Sequence, residues 1–336
     1  MHSTAGITVG MRAIVFDQPG DESVLHIGDA PRPALGADEL RIRVQATAVN
    51  RADLLQRQGL YPPPPGASPI LGLECAGEVA EVGAAVAGWR VGDRAMALLA
   101  GGGYAEEAVV SAGSAMRVPA GLSIEQAAAL PEVFLTAFLN IFLLGSPPDG
   151  GSVLVHGGGS GVGTAAIGLC REAGLRVVVT AGSADKCRQC LEYGADAAIN
   201  YRDGDFAPAV REASGGRGVN VVLDSIGGAY LASNLAVLAM DGRLVIIGLM
   251  GGASAEINLA ALLTRRLQVI GSTLRGKSPA EKAGIVEAFW KRFGVAIEAG
   301  RVRPRVDRVL PLEQAGEAHR IMKASEHFGK IVLRVA

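Results

Sequence analysis

The chain has 336 residues, enough for two domains with separate cores, and a formal net charge of −1. That balance argues against nucleic acid or an anionic membrane as a partner. No apolar run reaches the roughly 18–20 residues of a membrane span; residues 1–10 lack the features of a signal peptide, and four cysteines make no disulfide framework, so a cytoplasmic location is expected.

Residues 1–10 read as a disordered extension. Residues 12–120 look mostly β, with strands expected at 12–16, 39–48, 78–82 and 104–110. Pro31–Pro33 and Tyr61–Gly66 mark loops, the second stiffened by four consecutive prolines. A helix over 123–130 starts on Ser123, and Pro131 separates it from a helical stretch over 132–144. From Gly151 strands and helices alternate. Strands are expected at 152–156, 176–180, 197–200, 219–224 and 243–248, and helices at 161–173, 184–193, 205–213 and 229–240. This alternation predicts an α/β fold, a doubly wound parallel sheet covered by helices on both faces. A sixth strand fits 267–272. A long helix over 278–299 starts with a Ser278 cap and Pro279, and a strand over 330–335 is free to return to the first domain.

The most informative stretch is Val153–Leu169. A buried strand runs into five glycines within His156–Gly163, and small and apolar residues follow, suited to close helix packing. Such a turn brings backbone N–H groups and the positive end of a helix dipole to a pyrophosphate. The common G-x-G-x-x-G spacing is not met. The variant register adopted is Gly158-x-Ser160-Gly161-x-Gly163, with Val162 between its last two glycines. A tight turn that binds nothing is the competing reading, and the strand–turn–helix–strand context argues against it. The second strand ends at Thr180-Ala181-Gly182-Ser183 without the acid that holds the adenosine ribose in NAD enzymes. This small turn leaves room for a 2′-phosphate, with Lys186 in reach and Tyr201-Arg202 following the third strand. NADPH is therefore expected over NADH. Asp185 dissents, although an acid in a first helical turn commonly just complements the dipole.

Asn50–Asp53, Gln56–Tyr61, Pro62–Gly66, Leu71–Glu74, Gly92-Asp93, Gly103–Glu106, Leu135–Ala137, Gly161–Gly163, Asp224 and Gly329-Lys330 together resemble the medium-chain dehydrogenase/reductase superfamily. They are most similar to its zinc-free quinone oxidoreductase branch. The resemblance implies a GroES-like β-rich catalytic domain (1–130 plus 273–336) around a Rossmann dinucleotide-binding domain (131–272), with the active site in the cleft between them. It also implies a homodimer or homotetramer. Where zinc-dependent relatives keep their metal ligands, this chain has Asn50, Leu73-Glu74 and Glu132, a donor set poorly suited to zinc. No metal is expected. Cys187 and Cys190 read as two helix residues, Cys75 and Cys170 as small hydrophobes, and the five histidines show no metal spacing.

The resemblance implies that Ser183, Lys186 and Tyr201 recognise the phosphate and that Tyr61 is the active-site hydrogen-bond donor. A tyrosine merely packed on the prolines is the alternative. Asn50 is expected to hold nicotinamide ribose, substrate or a water, against a loop asparagine bonded to local backbone. Asp53 is expected to order its loop. Ser160 is assigned to the pyrophosphate or ribose and Thr136 to the nicotinamide side. Leu249, Met250, Gly251, Ser272 and Thr273 are assigned to the carboxamide, at strand carboxyl ends. Arg275 and Lys330 are assigned to cofactor phosphate, against surface cations. Phe134 and Phe138 either line a substrate slot or belong to the core. The activity expected is NADPH-dependent, zinc-independent reduction of a small-molecule quinone or activated alkene. An enone or enoyl-thioester reductase is the enzyme alternative, and an NADPH-binding sensor or crystallin-like protein the non-enzymatic one.

Overall fold

The computed structural model describes residues 10–335; the extension expected over residues 1–10 lies outside them except for Gly10, which opens the first strand. The chain forms two units. One takes the residues up to Glu132, Arg275–Glu287 and those from Val306 onward; the other takes Val133–Leu274 and Ala288–Arg305.

The first unit begins with β1 (Gly10–Val15), β2 (His26–Pro31) and β3 (Glu39–Ala48), then α1 (Arg51–Arg57), β4 (Glu74–Val82), β5 (Arg94–Leu98), β6 (Glu107–Ser111), β7 (Ala115–Arg117) and α2 (Ile124–Ala128). Ser123 caps α2, accepting from the Gln126 N–H at 3.2 Å. The 104–110 strand is shorter than expected. Tyr104 is instead a buried loop residue whose backbone bonds Leu71 and Ile14, and the strand starts at Glu107. Strand β4 starts earlier, at Glu74, because Cys75 and Ala76 pair with Thr47 and Ala46. Those residues are buried on both faces and show no alternation to read.

Helix α3 (Pro131–Phe138) ends before the expected Leu144, and a π-helical segment, Leu139–Gly145, continues it. Asn140 Nδ2 donates to Thr136 O at 2.7 Å, taking the carbonyl that the Asn140 amide would use in an α-helix.

The second unit follows with β8 (Ser152–His156), α4 (Gly161–Glu172), β9 (Arg176–Ala181), α5 (Ala184–Tyr193), β10 (Ala197–Asn200), α6 (Ala207–Ala213), β11 (Val219–Asp224), α7 (Leu231–Val237), β12 (Leu238–Ile246), α8 (Leu259–Arg265) and β13 (Gln268–Gly271). Its sheet runs β10-β9-β8-β11-β12-β13, every pair parallel. This is the Rossmann order, which reverses between β8 and β11. Strand β12 starts at Leu238, inside the expected 229–240 helix, because Leu238 pairs with Val219 before an irregularity restores register at Arg243. Phe134 and Phe138 are core: both are buried, and Phe138 packs edge-on against Phe289 and Phe293 at 5.5 and 6.0 Å.

Helix α9 (Pro279–Glu298), β14 (Val306–Pro311), α10 (Ala315–Lys323) and β15 (Lys330–Arg334) complete the chain. Strand β15 pairs antiparallel with β3 and parallel with β14, giving the first unit the order β14-β15-β3-β4-β5-β7, with β6 on β3. Ile331 and Leu333 of β15 join Ile14, Val49, Leu54 and Leu71 in one apolar cluster.

Candidate functional site

In the second unit the expected dinucleotide residues follow the carboxyl ends of parallel strands. After β8 the amides of Gly157 and Gly158 both donate to Thr180 O, at 3.1 and 2.8 Å. Ser160 caps α4, its Oγ accepting from the Gly163 N–H at 3.0 Å. Gly161 and Val162 supply the leading amides of that helix, which have no intrahelical partner. A Cβ at Gly163 would meet the carbonyl oxygens of Gly157 and Gly158, the latter at 2.5 Å. One at Gly158 would lie 2.7 Å from Val179. Gly157, outside the variant register, is the turn residue with left-handed backbone, φ 76°. Its signal is its place directly after the last residue of the strand. These glycines leave a backbone cradle that fits a pyrophosphate.

After β9, Ser183 caps α5 and accepts from the Lys186 N–H at 3.2 Å. A Cβ at Gly182 would press into the Tyr201 hydroxyl. Gly182, Ser183, Lys186 and Tyr201 are thus brought together. Asp185 is exposed and engaged with Arg188 and Gln189 on its own helix. After β12, Met250 and Gly251 donate to Ser225 O and Ile226 O at 3.2 and 2.7 Å, leaving the Leu249 and Met250 side chains exposed. After β13, Ser272 donates from its backbone to Ile246 O at 3.0 Å, and its Oγ is buried without a hydrogen-bond partner. Thr273 is exposed, and Thr136 on α3 is partly exposed. His156 is buried and pushed down to about 4 by burial. It lies between Thr180 Oγ1 and Asn234 Oδ1, at 3.0 and 2.7 Å, and places no charge beside the turn.

In the first unit a buried polar cluster forms around Lys330. Its ammonium donates to Val49 O at 2.8 Å, Asn50 Oδ1 at 2.6 Å and Glu74 Oε1 at 2.7 Å. Asn50 leads into α1, and its Nδ2 donates to Glu74 Oε1 at 2.9 Å and to Ala48 O at 3.2 Å. Glu74 Oε2 accepts from the Glu132 backbone N–H at 2.9 Å. Lys330 and Glu74 are almost wholly buried. Lys330 is therefore no surface cation, and all three of its N–H groups are spent inside this cluster rather than directed at a phosphate. Asn50 likewise commits both amide donors to protein oxygens, leaving one lone pair of Oδ1 as its remaining hydrogen-bonding capacity.

Asp53 orders its loop. It accepts from the Asn50 N–H at 2.8 Å, the Gly72 N–H at 3.0 Å and the Tyr104 hydroxyl at 3.3 Å. Burial pushes its carboxyl up to about 6 against those hydrogen bonds. Arg275 is also buried rather than on the surface. It donates to Gln56 Oε1 at 2.6 Å, Ala100 O at 2.8 Å and Tyr61 O at 3.4 Å, three of its five N–H groups. Its guanidinium sits 5.3 Å from the Tyr61 ring centroid. Tyr61 is half-buried, and burial raises its hydroxyl pKa, which keeps it a donor. Glu132 is partly exposed, its carboxyl pushed up to about 8 by burial and by the charge of Glu74. Among the described residues no group of three or more His, Cys, Asp and Glu is placed to hold a metal.

The Zinc-binding dehydrogenase family matches residues 161–290, and the Alcohol dehydrogenase GroES-like domain matches residues 36–120. The chain is 32% identical to the quinone oxidoreductase of Rattus norvegicus, over 96% of this chain and 97% of that protein. It belongs to the medium-chain dehydrogenase/reductase family. This oxidoreductase is similar to the crystal structure of Escherichia coli quinone oxidoreductase complexed with NADPH, with a TM-score of 0.86 and 29% identity over 96% of this chain and 100% of that one. It is also similar to the CurK enoyl reductase, with a TM-score of 0.85 and 27% identity over 97% and 99% of the two chains. The first unit of this medium-chain dehydrogenase/reductase is the GroES-like part and the second the Rossmann-type part.

Proposed function

We propose that this protein is an NADPH-dependent, zinc-independent reductase of quinones, with motifs similar to those of the tumour-suppressor-inducible quinone oxidoreductase. The observation that carries the reading is the Lys330 ammonium between Glu74 and Asn50. Its partners Asn50 and Glu74 stand at the sequence positions where zinc-dependent relatives keep ligands. A site built on an ammonium offers no Lewis acid, so it suits acceptors that take a hydride without one.

Bound NADPH supplies the hydride. Gly158, Ser160, Gly161, Val162 and Gly163 hold its pyrophosphate. Gly182, Ser183, Lys186 and Tyr201 hold the 2′-phosphate, to which Lys186 gives a charge-assisted bond. Thr136, Leu249, Met250, Gly251, Ser272 and Thr273 position the nicotinamide end. Tyr61 donates a hydrogen bond to the substrate oxygen where charge develops, and Arg275 orients Tyr61. Asn50 positions Lys330 and Glu74.

The division into residues 1–130 plus 273–336 and residues 131–272, a cytoplasmic location, and a homodimer or homotetramer belong to the same proposal. Strand β13 ends the Rossmann sheet with Val269 exposed, and pairing such edges satisfies their free hydrogen-bond groups. The likeness to CurK enoyl reductase supports a second reading, reduction of a conjugated enone or enoyl thioester. Paired assays with a quinone and an enone, each with NADPH and NADH, separate the readings. Enone turnover without quinone turnover would replace the first reading by the second.

A further inference from the structure

The glycine turn of the second unit is anchored on Thr180 from two directions. The Thr180 carbonyl accepts from the Gly157 and Gly158 amides at 3.1 and 2.8 Å. The Thr180 hydroxyl lies 3.0 Å from Nδ1 of His156, which closes β8 and directly precedes Gly157. His156 and Thr180 are also register partners on the neighbouring parallel strands β8 and β9. His156, Gly157 and Thr180 therefore form a closed ring of contacts at the strand ends. The turn has no slack against β9 and α5, because a Cβ at Gly158 would lie 2.7 Å from Val179 and 2.9 Å from Cys190 Sγ.

On its other side His156 is fixed by Asn234 of α7, whose Oδ1 lies 2.7 Å from Nε2. An amide oxygen only accepts, so Nε2 carries the imidazole proton. Nδ1 then keeps its lone pair, and the Thr180 hydroxyl donates to it. Phe206 and Tyr230 close on the imidazole, each centroid 4.8 Å away, and stand 4.9 Å from each other. The buried ring is thus held at both nitrogens and walled by two aromatic side chains. All of these groups belong to the second unit.

We propose that His156 is a positioning residue for the dinucleotide: it holds Thr180 so that the Gly157–Gly163 cradle has its binding shape before the cofactor arrives. The proposal rests on the dinucleotide reading and deepens it. A turn formed in advance has less ordering left to do on binding. The pyrophosphate is common to NADPH and NADH, so a defect at His156 weakens both alike. A defect at Lys186, assigned to the 2′-phosphate, weakens NADPH alone.

The test uses variants that separate positioning from packing. His156→Leu keeps an apolar side chain between Phe206 and Tyr230 but offers Thr180 no acceptor. His156→Asn offers Thr180 an acceptor in its Oδ1 but gives up the ring. Both take the His156 bond from Asn234, whose Nδ2 is already buried without a hydrogen-bond partner, and both should lower the urea midpoint. Thr180→Val removes the hydroxyl alone. By calorimetry, His156→Leu and Thr180→Val should each weaken NADPH and NADH by the same factor, about 3–10-fold for one lost hydrogen bond. The double variant should be no weaker than either single. His156→Asn should bind within about twofold of wild type despite its lower stability. Nitrogen-15 NMR of histidine-labelled wild type should show His156 neutral, with its proton on Nε2.

Wild-type affinity in Thr180→Val overturns the proposal. So do equal losses in His156→Asn and His156→Leu, which would make affinity follow stability, additive losses in the double variant, or a proton on Nδ1. Each of these results leaves the dinucleotide reading standing. A wild type that binds neither NADPH nor NADH overturns both.

Discussion

The glycine turn of the second unit and the Lys330 cluster of the first are built by opposite means. Around Gly157–Gly163 the backbone is the functional material: amides, a helix end and the absence of Cβ atoms. Around Lys330 the side chains are, and each fills the hydrogen-bonding capacity of the next. The first kind of site tolerates no added volume. The second tolerates no missing partner.

The largest expected effect breaks the backbone site. Gly163→Val places atoms where the carbonyls of Gly157 and Gly158 already lie and should reduce NADPH affinity by more than about 100-fold, measured by calorimetry. Binding within a few-fold of wild type would show that α4 can shift away from the turn.

Breaking the side-chain site should cost stability instead. Lys330→Met strands the buried Glu74 carboxyl and should destabilise the protein by about 3–5 kcal/mol in urea unfolding. Adding Glu74→Leu should recover much of that loss, because an apolar pair replaces an unpaired charge. A double variant as unstable as the sum of its singles would refute the coupling.

A smaller effect sharpens the cofactor assignment. Lys186→Ala should weaken NADPH by about 10–100-fold, from the loss of one charge-assisted hydrogen bond, and leave NADH nearly unchanged. Equal weakening of both would remove Lys186 from the phosphate.

The same contrast explains what was legible in the sequence. The parallel sheet and its glycine turn show locally, because strand, turn and helix each restrict residue type over a few neighbours. Even there, Gly157 escaped a register argument that counted spacing rather than backbone conformation. The Lys330 cluster joins partners as far as 281 positions apart in the chain, and no local pattern announces such partners. Position by analogy located Asn50, Glu74 and Glu132, but not that both Asn50 amide donors would be spent on protein oxygens or that Lys330 would sit beside Asn50 and Glu74. Arg275 read as a phosphate partner, with a surface cation as the alternative, for the same reason, since Gln56, its partner, lies 219 residues away. Short elements such as β5, β7 and α10 were equally silent, being defined by their pairing and packing more than by their own periodicity.

The central claim is a reductase whose chemistry runs without zinc on an ammonium-centred site. It is tested most directly by following NADPH oxidation by chelator-treated protein with 1,2-naphthoquinone. The account predicts rapid oxidation that survives chelation and exceeds the rate with NADH. Activity that disappears on chelation and returns with added zinc would contradict it.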